Sequence, residues 1–535
     1  MLLLAEGLRT TDWLVLALYG ALIIGAGVWS QVKPRSRNAT DYFLAGRHMP
    51  VWAVAVSTIA TVQSAATFVG VPQDSYANDL TYFSASIGAL LAAVLLARFV
   101  IPSYYRLGVG TPYQLLESRF GPGAKLATSW AYLIGRVFAS GSRVYVGAIP
   151  VAIACFGDRP DITMMWVIAG IMVFSVLYTL WGGLDSVIWT DVVQVVVYVG
   201  AALAAVIVLW NHIPAPASDI LNAWRQGMPD GSSKLTLVRT GLDSAKPLGF
   251  DPGAPFTVLT ALTGWTLLNL AAFGTDQDLV QRLLACRGAK QGGRSIIAST
   301  LLGIPVVMIF AAVGLLLWIV YARPDLMGRP TPEYAAGDSA DVFLKFVMRE
   351  MPAGAAGLVV AGVIAAGPAG VNASLNSMAG TLVSDFYRPV VAPGRDEAHY
   401  VKAGRWAVVL WGLVLGGFAV VCIWWQRHSG QSIIDFVLGV MAFAYAGLLG
   451  VFFTALFTRR GTTASAVAAM LVGFVAVFLL QPPVWKVWTA WSDWTATNLD
   501  AVRIASPWRL VIGAALATLV AAAPRGKALA PGAAG

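Results

Sequence analysis

The sequence predicts an all-α polytopic membrane protein with thirteen membrane spans, and three observations carry that prediction. The 535 residues are 58% hydrophobic and 12% charged, whereas soluble domains carry about 25% charged residues. The apolar stretches are continuous and reach the roughly 20 residues that a spanning helix needs. They lack the strict alternation of a lipid-facing strand, so helices are expected rather than a barrel. Finally, the Lys and Arg residues collect in alternate short loops.

The first span, 11–31, follows a segment without a basic cluster and precedes no convincing small-residue cleavage site. It reads as a retained helix rather than a signal peptide. The second, 50–75, contains Ser57, Thr58, Thr61, Gln63, Ser64 and Thr67, then Gly70 and Pro72. Spans three to six cover 81–105, 124–155, 161–181 and 185–211. The fourth holds Arg136 and Arg143, seven residues apart and on nearly one helix face. The sixth holds Asp191. Span seven, 256–283, contains Asn269 and the run Phe-Gly-Thr-Asp-Gln-Asp at 273–278. The remaining spans are 295–321, 353–384, 404–426, 431–458, 462–481 and 507–524, with Asp435 near the start of span eleven. Two longer loops, 212–255 and 481–507, complete the chain, and Trp485, Trp488, Trp491 and Trp494 in the second suit a membrane interface.

Thirteen spans place the basic groups on one side: Lys33, Arg35, Arg37 and Arg47; Arg106, Arg119 and Lys125; Arg282, Arg287, Lys290 and Arg294; Arg388, Arg395, Lys402 and Arg405; Arg459 and Arg460; and Arg525 with Lys527. Basic loops stay in the cytoplasm. The reading is a multi-pass plasma (inner) membrane protein with its N-terminus outside and its C-terminus cytoplasmic. The net charge of +9 is then a topology signal rather than a nucleic-acid footprint.

No phosphate-cradling Gly-Lys-Ser loop, metal-spaced His/Glu pair or nucleophile motif is present, so an enzyme is the least favoured class. Cys155, Cys286 and Cys422 read as small buried hydrophobes. The four histidines sit in loops or at helix ends, which disfavours an intramembrane histidine relay. The positive indications are the polar, Gly-interrupted second and seventh spans. They open two five-helix units, 50–211 and 256–458, with 11–31 and 462–524 peripheral, in a single transport domain of 1–535. Interrupted helices at matching points of two halves indicate a transporter site. Single Ser or Thr residues in such helices also bond back to the backbone or join neighbours. Asp191 and Arg143 are candidates by depth, because ionisable side chains inside a membrane are expensive. For Arg143, a carboxylate-binding role and a structural pair with Asp435 stand side by side.

Four motifs in order resemble the sodium/solute symporter family: Asp-Tyr-Phe-Leu-Ala-Gly-Arg (41–47), Tyr-Thr-Leu-Trp-Gly-Gly-Leu-Asp-Ser-Val-Ile-Trp-Thr-Asp-Val-Val-Gln (178–194), Thr-Asp-Gln-Asp-Leu-Val-Gln-Arg (275–282) and Ala-Ser-Leu-Asn-Ser-Met-Ala-Gly-Thr-Leu-Val-Ser-Asp-Phe-Tyr (373–387). The resemblance runs from about residue 11 to 460. It implies a leucine-transporter-type 5+5 inverted repeat with one extra N-terminal and two extra C-terminal helices, working by alternating access. It also implies a sodium site built from carbonyls matching Ala60, Gln63 and Ala366 plus a hydroxyl pair. This chain has Ala369 and Gly370 at the hydroxyl positions. The site is degenerate, with Asn372, Ser374, Asp191 or a water as conceivable replacements. Asp191 matches the family aspartate that guides sodium toward the cytoplasm.

For the solute, Ser64 and Thr67 are candidates because they lie three residues apart on one face of the second span; the resemblance adds Asn269, and Phe273 and Arg143 complete the set. Sugar carriers have a Glu-Gln pair where this chain has Ala66-Thr67, and an aromatic gate where it has Ala272. A sugar is therefore disfavoured. Arg143 suits a carboxylate, which a guanidinium grips through two parallel hydrogen bonds. The expectation is a secondary active importer of a small organic acid or other anion, coupled to sodium and needing no cofactor. A proton-coupled or uncoupled facilitator and a transporter-like sensor are the alternatives.

Overall fold

The computed structural model describes residues 8–31, 39–156, 160–228, 231–244, 249–333, 342–429, 433–481, 484, 485, 487 and 504–524. Lys33, Arg35, Arg37, Trp488, Trp491, Trp494, Arg525, Lys527 and the side chains of Ala66, Cys155, Ala369 and Asp435 lie outside what it describes. Among the described residues the chain is helical with no β-strand, and the expected apolar stretches are helical, two of them interrupted.

The helices, in order, are α1 (Thr10–Gln31), α2 (Ala39–Leu44), α3 (Val51–Val62), α4 (Ala65–Ala77), α5 (Thr81–Leu107), α6 (Pro112–Phe120), α7 (Pro122–Phe156), α8 (Asp161–His212), α9 (Ala217–Arg225), α10 (Val258–Thr275), α11 (Gln277–Leu284), α12 (Ala289–Ala322), α13 (Val342–Arg349), α14 (Ala355–Val391), α15 (Glu397–Ser429), α16 (Ile433–Phe457), α17 (Thr463–Leu479) and α18 (Ser506–Ala522). Among the described residues six helical segments are long and apolar enough to cross a bilayer, and the bent pair α3–α4 is a seventh. This is a multi-pass membrane protein.

Both expected interruptions are present. α3 and α4 meet at 64°, with Gln63 and Ser64 in extended conformation between them. The interruption falls at Gln63 and Ser64 rather than at the glycine, and Gly70 and Pro72 sit inside α4. The restart explains this. Ser64 and Thr67 form a capping box: the Ser64 amide donates to Thr67 Oγ1 at 3.4 Å, and the Thr67 and Phe68 amides donate to Ser64 O at 2.9 and 3.0 Å. α10 gives way to α11 at an extended Asp276, whose carboxylate accepts from the Asp278 amide at 3.0 Å. The carbonyls freed there are taken by tyrosines: Tyr104 Oη donates to Gly274 O, and Tyr113 Oη to Thr275 O at 3.1 Å. These bonds replace what the helix loses, as hydrocarbon requires.

A third irregularity divides α8. Gly183 has φ +55°, and a Cβ there would meet Tyr42 O at 2.5 Å. Glycine is needed on both counts. The Tyr42 hydroxyl donates to Thr179 O at 3.2 Å, occupying a carbonyl released by the kink.

Two of these pieces are anchored differently. α3 packs on α8 and α12, whereas α4 leans on α12 through fully buried Phe68, whose ring lies 4.9 Å from Phe310 and 5.3 Å from Tyr198. Ser75 Oγ adds a bond to Ala311 O at 2.9 Å. At the start of α14, Asp12 of α1 accepts from the Gly354 and Gly357 amides, both at 2.7 Å. A carboxylate from another helix thus caps α14 and offsets its dipole. Beyond α4, buried Lys234 donates to Tyr76 O at 3.0 Å and Asn78 O at 2.5 Å, and Arg239 pairs with Asp79 at 2.7 Å. The 226–257 loop is thereby fastened to the end of the broken helix.

Candidate solute site and its ion network

The two helix breaks face one cavity of about 220 Å3. Its walls are the end of α3 (Thr58, Ile59, Thr61, Val62, Gln63), α5 (Tyr82, Ala85, Ser86, Ala89), α7 (Arg136, Arg143) and α10 (Trp265, Leu268, Asn269, Ala272, Phe273). Leu279 of α11, Ser299 to Val307 of α12 and Tyr445 of α16 close it. Most of the exposed lining surface is apolar, with polar groups from every wall set into it, a make-up that suits a small-molecule site.

Arg143, Asn269, Phe273 and Gln63 all line this space. The Asn269 amide nitrogen donates to Trp265 O at 2.8 Å, one turn back on its own helix. Ser64 and Thr67 are not among the lining residues; the Ser64 amide donates to Thr67 Oγ1 at 3.4 Å within the α4 cap. Buried Ala60 and Ala366 lie on α3 and α14, and a Cβ on Gly370 would sit 3.8 Å from Thr61 O. The unwound end of α3 therefore abuts α14 at the position where a hydroxyl pair was expected. Ser374 cannot fill that gap. Its hydroxyl accepts from Arg136 Nε at 3.1 Å and is within 2.7 Å of Ser140 Oγ. The same hydroxyl is 3.1 Å from Asp278 Oδ2 and 2.8 Å from Gly370 O.

A chain of buried charges leads away from the cavity. Arg136 pairs with Asp276 at 2.7 Å and with Asp278. Asp278 pairs with Arg282 at 3.2 Å, and Arg282 with Asp191 at 3.0 Å. Ser57 of α3 ends the chain, donating to Asp191 Oδ2 at 2.6 Å and accepting from Arg282 Nε at 2.9 Å. Tyr445 Oη donates to Asp276 Oδ2 at 2.8 Å at the cavity end. All five ionic residues are at most 3% exposed. The network ties α3, α7, α8, α11 and α14 together across the first and second breaks.

This corrects the placement of Arg282 among the basic loop residues. It is fully buried, because α11 turns inward after the Asp276 break and supplies an (i, i+4) partner in Asp278. Asp276, Asp278 and Tyr445 are further site residues that the motif reading did not single out. An available signal was the Asp276-x-Asp278-x3-Arg282 spacing directly after a Gly-Thr step.

The profile of the sodium:solute symporter family matches residues 42–473, well over half of the chain. The chain belongs to the sodium:solute symporter family. It is a membrane transporter of small solutes, and sodium is the family's coupling ion. It is 26% identical over 472 residues to the sodium/sialic acid symporter SiaT of Proteus mirabilis, covering 87% of this chain and 88% of that one. It is also 26% identical over 501 residues to a sodium/glucose cotransporter of Vibrio parahaemolyticus, covering 89% and 86%. The fold is that of a Na+-coupled sialic acid symporter solved substrate-bound and outward-open, at a TM-score of 0.77, 23% identity and coverage of 97% and 99%. The symporter's two helix breaks and its buried ion network therefore sit within a family transport fold.

Proposed function

We propose that this symporter imports a small organic carboxylate, driven by sodium, through alternating access of a thirteen-span 5+5 inverted repeat. The first repeat is 50–211 and the second 256–458. The N-terminus is outside, the C-terminus is cytoplasmic, and the carrier sits in the plasma membrane. The observation that carries the solute class is Arg143 on the wall of the central cavity, opposite a largely apolar lining. A guanidinium in such a setting favours a single carboxylate with a compact body. Asn269 and Phe273 complete the contact set, and Ser64 and Thr67 act through the α4 cap rather than by touch. The sodium/sialic acid symporters among the relatives carry an acid of this type, which supports the reading.

For sodium, the carbonyls of the α3 end and of Ala366 would supply oxygen beside Ala369 and Gly370. Two buried amide oxygens without hydrogen-bond partners, Gln63 Oε1 and Asn372 Oδ1, lie on the helices bordering that site. They are neutral donors suited to a hard cation and stand in for the missing hydroxyls. Orientation is supported by the basic ends meeting on one face. Arg47 reaches Val109 O at 2.9 Å, and Arg119 reaches Ala455 O at 3.3 Å.

Uptake of labelled pyruvate, lactate, benzoate and N-acetylneuraminate into proteoliposomes tests the solute class. At least one should enter saturably, and Arg143→Gln should abolish its uptake. Unchanged uptake in that variant would remove Arg143 from the site. The proton-coupled alternative rests on Asp191, and imposed proton gradients without sodium discriminate it.

A further inference from the structure

The walls of the central cavity differ in what they offer a solute. Arg136, Arg143 and Tyr445 enter it from α7 and α16, which pack on one another. The wall formed by α5 and α12, also packed on one another, presents Ala85, Ala89, Gly303, Ile304 and Val307. α10 packs on both α5 and α16 and so stands between the two walls, and from it Trp265 and Phe273 face the same space. Hydroxyls are set into α3 and α12 as well, but their protons are spent on the backbone. Thr58 Oγ1 donates to Val54 O at 2.7 Å and Thr61 Oγ1 to Ser57 O at 3.0 Å. Ser299 and Thr300 both donate to Ile296 O at 2.9 Å. The Trp265 indole donates to Pro255 O at 2.8 Å.

Gly303 adds a second observation. α12 carries four glycines. A Cβ on Gly292, Gly293 or Gly314 would press on Leu283, Ala97 or Pro72, so close helix packing accounts for those three. A Cβ on Gly303 would meet no described atom within 4 Å. Gly303 lies one turn from Ser299 and from Val307, both buried and both on the cavity wall, so it shares their face. Its missing side chain leaves room in the cavity rather than between helices.

We infer that the solute carries an unhydroxylated hydrocarbon body, an aromatic ring or a branched alkyl group, lodged against the α5–α12 wall, and that Gly303 and Ala89 set the size of that body. This rests on the carboxylate reading above, with the acid group toward Arg143. A hydroxyl on the body would give up water and meet oxygens whose protons are already committed, so its lone pairs would go unmet. Apolar atoms give up nothing there and gain contact. The rings of Trp265 and Phe273 suit an aromatic face or edge.

The test is equilibrium binding to the purified full-length protein in saturating sodium. The probes are labelled benzoate, isovalerate, pyruvate and N-acetylneuraminate, with benzamide as the neutral counterpart of benzoate. Benzoate and isovalerate should bind at least about tenfold more tightly than N-acetylneuraminate. Gly303→Leu should weaken benzoate at least about tenfold and leave pyruvate, which is too small to reach that wall, at its wild-type affinity. Ala89→Leu, from the facing helix, should act in the same way. Leu301→Ala, on the exposed face of α12, should change neither. Thermal unfolding checks that the variants fold; if one does not, the other variant and the wild-type order decide. N-acetylneuraminate bound as tightly as benzoate would overturn the inference and leave the carboxylate reading standing. So would a folded Gly303→Leu protein that weakens benzoate and pyruvate alike, or neither. Benzamide bound as tightly as benzoate, and lost in Gly303→Leu, would remove the carboxylate and keep the hydrocarbon wall. Binding of none of the five would overturn both.

Discussion

Replacing Arg282 with Gln tests the buried network where its consequences are largest. Arg282 is fully buried and holds Asp191 at 3.0 Å, Asp278 at 3.2 Å and Ser57 at 2.9 Å. Asp278 keeps Arg136 and Ser374 in the variant, but Asp191 keeps only Ser57. Removing one partner of a buried pair costs roughly 3–5 kcal/mol, because a charge is left uncompensated. Asp191→Asn in the same background removes that stranded charge. The double variant should therefore recover part of the loss, with a coupling energy on the order of 0.5–3 kcal/mol. Arg287→Gln is the control, since Arg287 is exposed five residues further on. It should change stability by no more than about 0.5 kcal/mol. Denaturant unfolding of the detergent-purified proteins, followed by tryptophan fluorescence, reads all four. Equal stability of the Arg282 and Arg287 variants, or strict additivity with Asp191→Asn, would refute the network as a structural element.

Three further outcomes follow from geometry outside the site. Gly183→Ala places a Cβ 2.5 Å from Tyr42 O at a left-handed φ of +55°. Strain of this kind costs about 1–3 kcal/mol before the clash is added, so the same unfolding assay should show at least that loss. Asp12→Ala removes the acceptor of the Gly354 and Gly357 amides. A loss of about 0.5–2 kcal/mol is expected, together with faster proteolysis of α1. Lys234 offers a pH dependence. Burial pushes its ammonium from the ordinary 10.5 down to about 8. Between those values the undocked loop binds more protons than the docked one, so docking strengthens as pH rises across that interval. Hydrogen exchange in 226–257, corrected for intrinsic rate, should show protection increasing from pH 8 to 10. Lys234→Ala should lower protection and lose that trend.

The helices were legible because each is an apolar run with a polar end, and hydrocarbon leaves the backbone few alternatives. The breaks were legible as regions, since Ser, Thr, Gly and Asp do not cluster in a membrane helix without cause. Their positions were less so. Gly70 and Pro72 look like helix breakers, yet a membrane helix tolerates them when neighbours meet the freed groups. α4 has such neighbours in Ser75, Ala311 and Gly314. The Ser64-x-x-Thr67 spacing carries a capping signal as well as a shared face, and the cap is what the helix forms. Arg282 was hidden for a different reason. A basic residue near a helix end looks topological until its partner is known, and Asp191 lies 91 residues earlier in the chain. Arg143 and Asn269 could be nominated from depth and motif because the helices bearing them are regular at those positions.

Accumulation of a labelled carboxylate in proteoliposomes, under an inward, an absent and an outward sodium gradient, addresses the transport account most directly. The account predicts concentration of the acid above the outside level with the inward gradient only, and its loss when Arg143 is Gln. Equilibration to the outside level under all three gradients would contradict symport and mark the carrier as a passive facilitator.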